Sequence, residues 1–222
     1  MADPSVADPS VADPSVGELS APGALPLCVR RHLRDARAAL DALEEVTPTL
    51  VAWTEVLVDR LSGGGRLLVA GNGGSAALAQ HLSAELVGRF RAERPPFAAL
   101  ALCADSAALT ALGNDYGYDA VFARQVAAHG RPGDVFLAIS TSGASPNLLR
   151  AAAAAADAGL TAWALTGPAP NPLALRCAEA VRAGEPVAAA ALRAATTAAV
   201  QEAQQVAVHL MCLLFDAAMV AA

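Results

Sequence analysis

Short, unbroken apolar segments alternate along this chain with longer segments whose apolar residues recur at helical spacing. Strands that lack polar alternation are typical of parallel sheets, which are covered by helices on both faces. The pattern therefore predicts an α/β fold, a three-layer sandwich around a five-stranded parallel sheet. The apolar runs place the strands at 66–70, 98–102, 134–139, 160–166 and 178–182.

Helical segments are predicted before and after the sheet. Apolar residues recur at helical spacing from Cys28 to Pro48, and a further helix runs to Leu61, so we predict two N-terminal helices. Residues 188–220 are predicted to form one long Ala-rich helix. Because this C-terminal helix has more apolar surface than one exposed helix needs, we expect it to pack against a second copy of the protein.

The N-terminal residues have a different composition from the rest of the chain. Residues 2–16 are three copies of Ala-Asp-Pro-Ser-Val, and a Pro- and Gly-containing stretch follows. A period of five residues is too short for a solenoid unit, and the proline in each copy blocks helix and sheet. We therefore predict a disordered extension over 1–27 and a single domain over 28–222.

Composition restricts the classes of function. The most apolar stretch, Val206–Ala222, is short for a bilayer and is interrupted by His209 and Asp216, and the N-terminus lacks the pattern of a secretory signal. These features indicate a soluble, cytoplasmic protein that does not bind membranes. The net charge of −6 and the thinly spread basic residues argue against nucleic acid as a partner.

All fifteen basic residues are arginine, and the chain has no lysine. A Schiff-base lysine and a Walker-type phosphate-binding lysine are therefore both excluded. Any phosphate must be held by backbone N–H groups, hydroxyls or arginine.

A glycine loop, residues 71–75, follows the first predicted strand and reads Gly-Asn-Gly-Gly-Ser. Glycine allows close approach of the backbone to a ligand, and the first N–H groups of the following helix are unpaired, so the loop favours an anionic ligand. His81 and Glu85 stand four residues apart on that helix and share one face, so they can bind a single ion together.

A hydroxyl loop, residues 140–147, follows the third predicted strand and contains Ser140, Thr141, Ser142 and Ser145. A helix that begins near Pro146 adds its own N-terminal donors. Ligands of open α/β sheets bind at the carboxyl ends of the strands, so the two loops together indicate a phosphate-binding site.

The two loops resemble those of the SIS (sugar isomerase) family of phosphosugar-binding domains, and further motifs resemble the phosphoheptose isomerases within it. The resemblance covers roughly residues 30–215. The segments that carry it, beside the loops, are Gln80–Arg91, Arg94-Pro95, Gly113–Gly117, Gln201-Glu202 and His209.

The resemblance implies a flavodoxin-like SIS sheet and an aldose–ketose isomerase. Such enzymes interconvert sedoheptulose 7-phosphate and D-glycero-D-manno-heptose 7-phosphate through an enediol, usually as homotetramers with active sites at subunit interfaces. It assigns acid/base catalysis to Glu85 and His209. The positions that match substrate contacts are Asn72, Gly73, Gly74, Ser75, Glu85, Asn114, Asp115, Ser140, Thr141, Ser142, Ser145 and Gln201.

The resemblance also implies a zinc site formed by His81, Glu85, Gln201 and His209. Gln201 and His209 are eight residues apart, ~12 Å along a straight helix. They need converging side chains, or contributions from different subunits, to bind one metal ion.

A second hypothesis belongs to another class of function. Some SIS relatives are non-catalytic tetramers that bind a protein partner such as a replication initiator, and they share both loops. The presence of both Glu85 and His209 favours the enzyme.

Overall fold

Five parallel strands form the central sheet of the protein, whose computed structural model describes residues 24–179 and 188–221. The sheet has the order β2-β1-β3-β4-β5, and every neighbouring pair is parallel. The predicted α/β fold is confirmed, and its strand order is the flavodoxin-like one. The strands are β1 Leu67–Gly71, β2 Ala99–Ala101, β3 Val135–Ser140, β4 Thr161–Thr166 and β5 Ala189–Ala191.

Helices cover both faces of the sheet, as predicted. Helices α1, α2 and α7 pack together on one face, while α4, α5 and α6 pack together on the other. A short 3₁₀ helix over Tyr118–Ala120 precedes α4. The helices are α1 Ala24–Ser62, α2 Gly74–Val87, α3 Ser106–Tyr116, α4 Val121–His129, α5 Pro146–Asp157, α6 Pro172–Glu179 and α7 Thr197–Ala221.

The sheet changes its direction of winding at β1, because β2 lies on one side of β1 and β3 on the other. Gly71 at the end of β1 is in register with Ile139 near the end of β3. The glycine loop and the hydroxyl loop therefore leave the sheet at the same level, on either side of the switch point where open α/β sheets bind ligands.

The prediction of two N-terminal helices is wrong, because α1 is one helix that continues through Pro48. Proline inside a helix loses one hydrogen bond and clashes with a carbonyl, at a cost of about 3 kcal/mol. Leu43 before Pro48 and Leu50 after it are both buried in the same core. We infer that this shared burial offsets the cost of the proline. The helix also begins at Ala24, within the predicted extension, while residues 1–23 lie outside the described residues.

The predicted position of the fifth strand is also wrong. Residues 178 and 179 end α6, residues 180–182 lie outside the described part of the chain, and β5 is Ala189–Ala191 instead. Ala189 pairs with Ala164 of β4, and Ala190 is completely buried. Pairing with β4 thus overrides the helix propensity of the alanine run. Because of this strand, the C-terminal helix begins at Thr197 rather than at 188.

Helix α7 is the only helix in the described ranges that is long and apolar enough to cross a membrane, over Thr197–Val220. Ala203, Ala207 and Phe215 of this helix belong to the hydrophobic core. Gln204 and Asp216 are buried on the same helix. The packing identifies α7 as a core helix of a soluble α/β domain.

Two tryptophans fix α1 against the sheet. The rings of Trp53 on α1 and Trp163 on β4 are stacked, with centroids 4.9 Å apart and planes 4° from parallel. Both side chains are completely buried.

We predict that Trp53→Ala lowers the free energy of unfolding by about 3–5 kcal/mol, because it removes a fully buried ring and leaves a cavity. Urea denaturation followed by circular dichroism measures the loss. Leu175→Ala on α6, where the side chain is 57% exposed, is the control and should cost about 0.5 kcal/mol or less. Equal losses in the two variants would contradict the assignment of Trp53 to the core.

Candidate active site

The glycine loop and the hydroxyl loop are joined by a pair of amides. The Asn72 amide nitrogen donates to Asn147 Oδ1, and the Asn147 amide nitrogen donates back to Asn72 Oδ1, both at 2.9 Å. The Tyr118 hydroxyl also donates to Asn72 Oδ1, at 3.1 Å. Asn147 is buried, so this reciprocal pair fixes the spacing of the two loops. Asn147 was not among the predicted site residues.

The glycines of the first loop meet two separate demands. Gly73 has φ +54°, a left-handed conformation that side chains with a Cβ rarely adopt. A Cβ at Gly74 would overlap the side-chain amide of Gln201, so a larger residue there would displace that side chain from the loop. Helix α2 begins at Gly74, so Ser75 lies at the switch point, and the N–H groups of Ser75, Ala76 and Ala77 donate to the carbonyls of Asn72 and Gly73.

The hydroxyl loop is organised by two of its own serines. Ser140 Oγ accepts a hydrogen bond from the Gly143 N–H at 3.0 Å, and Ser142 Oγ accepts one from the Ala144 N–H at 3.2 Å. Ser145 is the N-cap residue of α5, but its side chain makes no capping hydrogen bond. Its hydroxyl and the positive end of the α5 helix dipole suit an anion between the loops.

An acid/base cluster is formed by His81 and Glu85 of α2 and His209 of α7. His81 Nε2 lies 2.9 Å from His209 Nε2 and 3.6 Å from a Glu85 carboxylate oxygen. The side chains of His81 and Glu85 are 37% and 21% exposed, so the cluster is open to solvent on one side. Phe90 covers the His209 ring, with centroids 5.6 Å apart. His81 and His209, which are 128 positions apart in the sequence, thus lie in contact, as one shared metal site would require.

Gln205, rather than Gln201, lies beside His209. The Gln205 amide nitrogen is 2.9 Å from His209 Nε2. The amide of Gln201 instead lies against Gly74, at the glycine loop. The sequence gives no signal that distinguishes the two glutamines, and the predicted metal role of Gln201 stays a prediction.

The donor types of the cluster fit zinc, although its spacing is that of hydrogen bonds. In the described part of the chain, no three His, Cys, Asp or Glu side chains form a ready metal site. Two nitrogens bound to one tetrahedral zinc ion lie about 3.3 Å apart, which follows from Zn–N bonds of about 2.05 Å. The His81–His209 contact of 2.9 Å is shorter than that by less than half an ångström. Two imidazoles and a carboxylate are common zinc ligands, and the adjacent amide supplies an oxygen.

Cys212 lies one turn beyond His209 on α7 but does not belong to the cluster. Burial, together with the carboxylates of Glu85 and Asp216, raises the pKa of the Cys212 thiol to about 12. A thiol with that pKa is protonated at neutral pH and is a poor nucleophile.

Asn114 and Asp115 are exposed at the end of α3. The Asn114 amide donates to the Asp115 carboxylate at 2.8 Å. Their predicted contact with the substrate stays a prediction.

A buried ion pair joins Arg94, in the segment after α2, to Asp216, which lies beyond His209 on α7. We call this pair the α2–α7 clamp. Arg94 Nε donates to Asp216 Oδ1 at 2.9 Å, and the two side chains are 3% and 5% exposed. Asp216 Oδ2 also accepts the backbone N–H groups of Arg91 and Ala92, at 2.7 and 2.9 Å. Burial acts to raise the pKa of Asp216, but these hydrogen bonds and the Arg94 charge outweigh it, so the pKa is lowered. Sequence analysis noted Asp216 only because it interrupts an apolar segment. A carboxylate at such a position signals that a buried cation is paired with it.

Fold and site together define an α/β domain in which two loops suited to an anionic ligand flank a sheet switch point, beside acid and base groups. Residues 31–167 match the SIS domain family. The phosphoheptose isomerase of Streptomyces coelicolor is 54% identical over 188 residues, which are 85% of this chain and 78% of that protein. That of Thiobacillus denitrificans is 45% identical over 181 residues, or 82% of this chain and 89% of that protein.

A solved structure shows the same fold. The structure of the phosphoheptose isomerase GmhA from Neisseria gonorrhoeae superposes with a TM-score of 0.78 at 37% identity, and covers 87% of this chain and 99% of that one. This chain therefore belongs to the SIS domain family, among the phosphoheptose isomerases.

We predict that Asp216→Asn lowers the free energy of unfolding by about 3–5 kcal/mol at pH 7, because it leaves Arg94 buried without its counter-ion. Since the folded-state pKa of Asp216 lies below the ordinary aspartate value of 3.8, its ionisation stabilises the fold above that pH. That stability is lost as the pH falls through the folded-state pKa. Urea denaturation of both proteins over a pH series should show the difference shrink below pH 3.8. A difference that stays constant down to acid pH would contradict the charged pair.

Proposed function

We propose that this chain is an aldose–ketose isomerase that converts sedoheptulose 7-phosphate into D-glycero-D-manno-heptose 7-phosphate. The observation that carries the proposal is the acid/base cluster, in which His81 and Glu85 of α2, the helix that follows the glycine loop, meet His209 of α7. The curated relatives that share the fold and most of the chain are phosphoheptose isomerases. A regulatory or partner-binding role is not favoured by these relatives.

The reaction explains why these residue types are needed. Moving a carbonyl between C1 and C2 requires removal of a proton from the carbon beside it, an enediol, and return of the proton to the neighbouring carbon. Glu85 and His209 supply the base and the acid, since one carboxylate and one imidazole can exchange protons at neutral pH. Each such transfer contributes typically about 10²–10⁴-fold in rate.

The two loops hold the phosphate of the sugar. The hydroxyls of Ser75, Ser140, Thr141, Ser142 and Ser145, together with the positive ends of the α2 and α5 helix dipoles, replace the lysine that the chain lacks. Gripping the far phosphate fixes the register of the sugar, so C1 and C2 are presented to the cluster in one orientation. The side-chain amide of Gln201 lies against Gly74 and therefore belongs to the phosphate-binding side of the site.

His81, Glu85 and His209 would hold a zinc ion, with Gln201 or Gln205 as the fourth ligand. When bound, the ion would supply Lewis-acid chemistry at the oxygens of the substrate. The protein residues still supply the proton transfers and the orientation of the sugar.

The active enzyme is a cytoplasmic homotetramer with active sites at subunit interfaces. In support, large apolar side chains are exposed on the first half of α1 and on α7, a pattern typical of interfaces. A second subunit also accounts for Asn114 and Asp115, which are exposed on this one. The exposed side chains are Leu27, Val29, Leu33, Leu40, Leu213 and Val220.

We predict that Glu85→Gln lowers kcat/KM for sedoheptulose 7-phosphate by about 10²–10⁴-fold, because the amide can neither take nor return a proton. Product formation is followed by proton NMR. Glu179→Gln, the same exchange at an exposed position of α6, is the control and should keep wild-type turnover. Wild-type turnover by a folded Glu85→Gln variant would reject the catalytic assignment. A folded wild-type protein without turnover would reject the isomerase and leave the partner-binding class.

We also predict that the protein purified from zinc-supplemented cells carries about one zinc ion per chain, held by four protein or water ligands. Mass spectrometry of the metal measures this without reference to activity. His81→Ala and His209→Ala should each lose most of the zinc. Loss of zinc in Gln201→Ala but not in Gln205→Ala would identify Gln201 as the fourth ligand, and loss of zinc only in Gln205→Ala would identify Gln205. Zinc-free wild-type protein would contradict the site.

A further inference from the structure

A single buried guanidinium connects the two helices that supply the acid/base cluster. We propose that Arg94 is a positioning residue for catalysis, which sets the separation of Glu85 and His209 through the α2–α7 clamp. The inference rests on the proposed isomerase activity.

On the α2 side, Arg94 binds the backbone that carries Glu85. Its Nη2 donates to the carbonyl of Glu85 itself at 2.6 Å. Its Nη1 donates to the carbonyls of Leu86 and Gly88 at 3.0 and 3.3 Å. The last carbonyls of a helix have no partner within the helix, and a cation at this end also complements the helix dipole. Arg94 therefore terminates α2 and holds the Glu85 backbone in place.

On the α7 side, Arg94 binds the helix that carries His209. Asp216, its counter-ion, lies seven residues after His209, which is about two helical turns and nearly the same face. Because Asp216 also accepts the N–H groups of Arg91 and Ala92, the segment after α2 is bound to α7 at three points. A displacement of α7 relative to α2 must break these bonds.

The guanidinium is held rigidly and away from the phosphate loops. It lies over the rings of Phe97 and Phe215, at 5.5 and 5.3 Å from their centroids, so apolar surface excludes water on both sides. The glycine loop lies at the N-terminal end of α2, and Arg94 binds the C-terminal end. Loss of Arg94 should therefore disturb the acid/base geometry and leave the phosphate grip intact.

Lysine cannot replace these contacts. The planar guanidinium donates in several fixed directions, to one carboxylate and four carbonyls, the fourth being that of Pro95 at 3.2 Å. A lysine ammonium would keep the charge opposite Asp216 but would reach fewer of the carbonyls. Arg94→Lys should therefore recover part of the function that a neutral side chain loses.

The test compares kcat and KM for sedoheptulose 7-phosphate in Arg94→Met, Arg94→Lys and the wild type. Misplacement of reacting groups by about 1 Å can cost about 10²-fold in rate, so we expect Arg94→Met to lose about that factor in kcat. KM should stay within about twofold, because the interaction lost is one made in the transition state. The kcat of Arg94→Lys should lie between those of Arg94→Met and the wild type. Ser142→Ala, in the hydroxyl loop, should instead raise KM, and Arg176→Met, an exposed arginine of α6, should match the wild type.

A double variant guards against misfolding. Arg94→Met/Asp216→Leu removes both charges, so no uncompensated ion is left in the core, and the folded double variant should still show the low kcat. Circular dichroism shows that it is folded. A wild-type kcat in folded Arg94→Met or in the folded double variant overturns the inference about Arg94 and leaves the proposed function standing. A parallel rise of KM also overturns it, because the clamp would then support substrate binding. Absence of turnover in the wild type overturns the proposed function and this inference together.

Discussion

The docking register of α7 is the constraint on which the site depends. The apolar face of this helix is rich in alanine and other aliphatic residues, which pack almost equally well after a small shift along the axis. Buried polar contacts remove that freedom. The Gln204 amide, completely buried, donates to the carbonyls of Ser140 and Leu165 at the ends of β3 and β4. Asp216, twelve residues later and ~18 Å along the helix, binds Arg94, so His209 lies between two fixed points.

Helix α2 performs the complementary task of relating the phosphate to the reacting carbons. Its first turn belongs to the glycine loop, and its later turns carry His81 and Glu85. Side chains on a helix lean toward its N-terminus, so these two groups point back toward the phosphate end. A rigid helix therefore sets the distance from the phosphate to the acid/base cluster, while α7 sets the distance across the cluster. The site is assembled from two helices whose mutual position is fixed by buried hydrogen bonds.

Sequence reasoning was successful where local chemistry determines structure. Strands β1, β3 and β4 are apolar runs buried along their whole length, and β2 lies within the predicted 98–102. The glycine and hydroxyl content of the two loops identifies them in the sequence. It was wrong about β5, whose alanines have helix propensity and become a strand only by pairing with β4. A break between two helices at Pro48 was also predicted, from the rule that proline interrupts a helix. Burial of α1 in the core overrides that rule, and the helix continues through Pro48. Gln205, Asn147 and Arg94 could not be predicted, because their roles arise from contacts between distant segments.

The ion pair in the clamp is best understood as a device for register. Replacing a buried pair with well-packed apolar side chains is often neutral or stabilising, so stability alone does not account for placing Arg94 and Asp216 in the core. An apolar pair would tolerate sliding, whereas Arg94 binds one carboxylate and the carbonyls that end α2 in one geometry. A catalytic pair whose members come from different helices needs that geometry, because proton transfer fails when the groups are displaced by about an ångström.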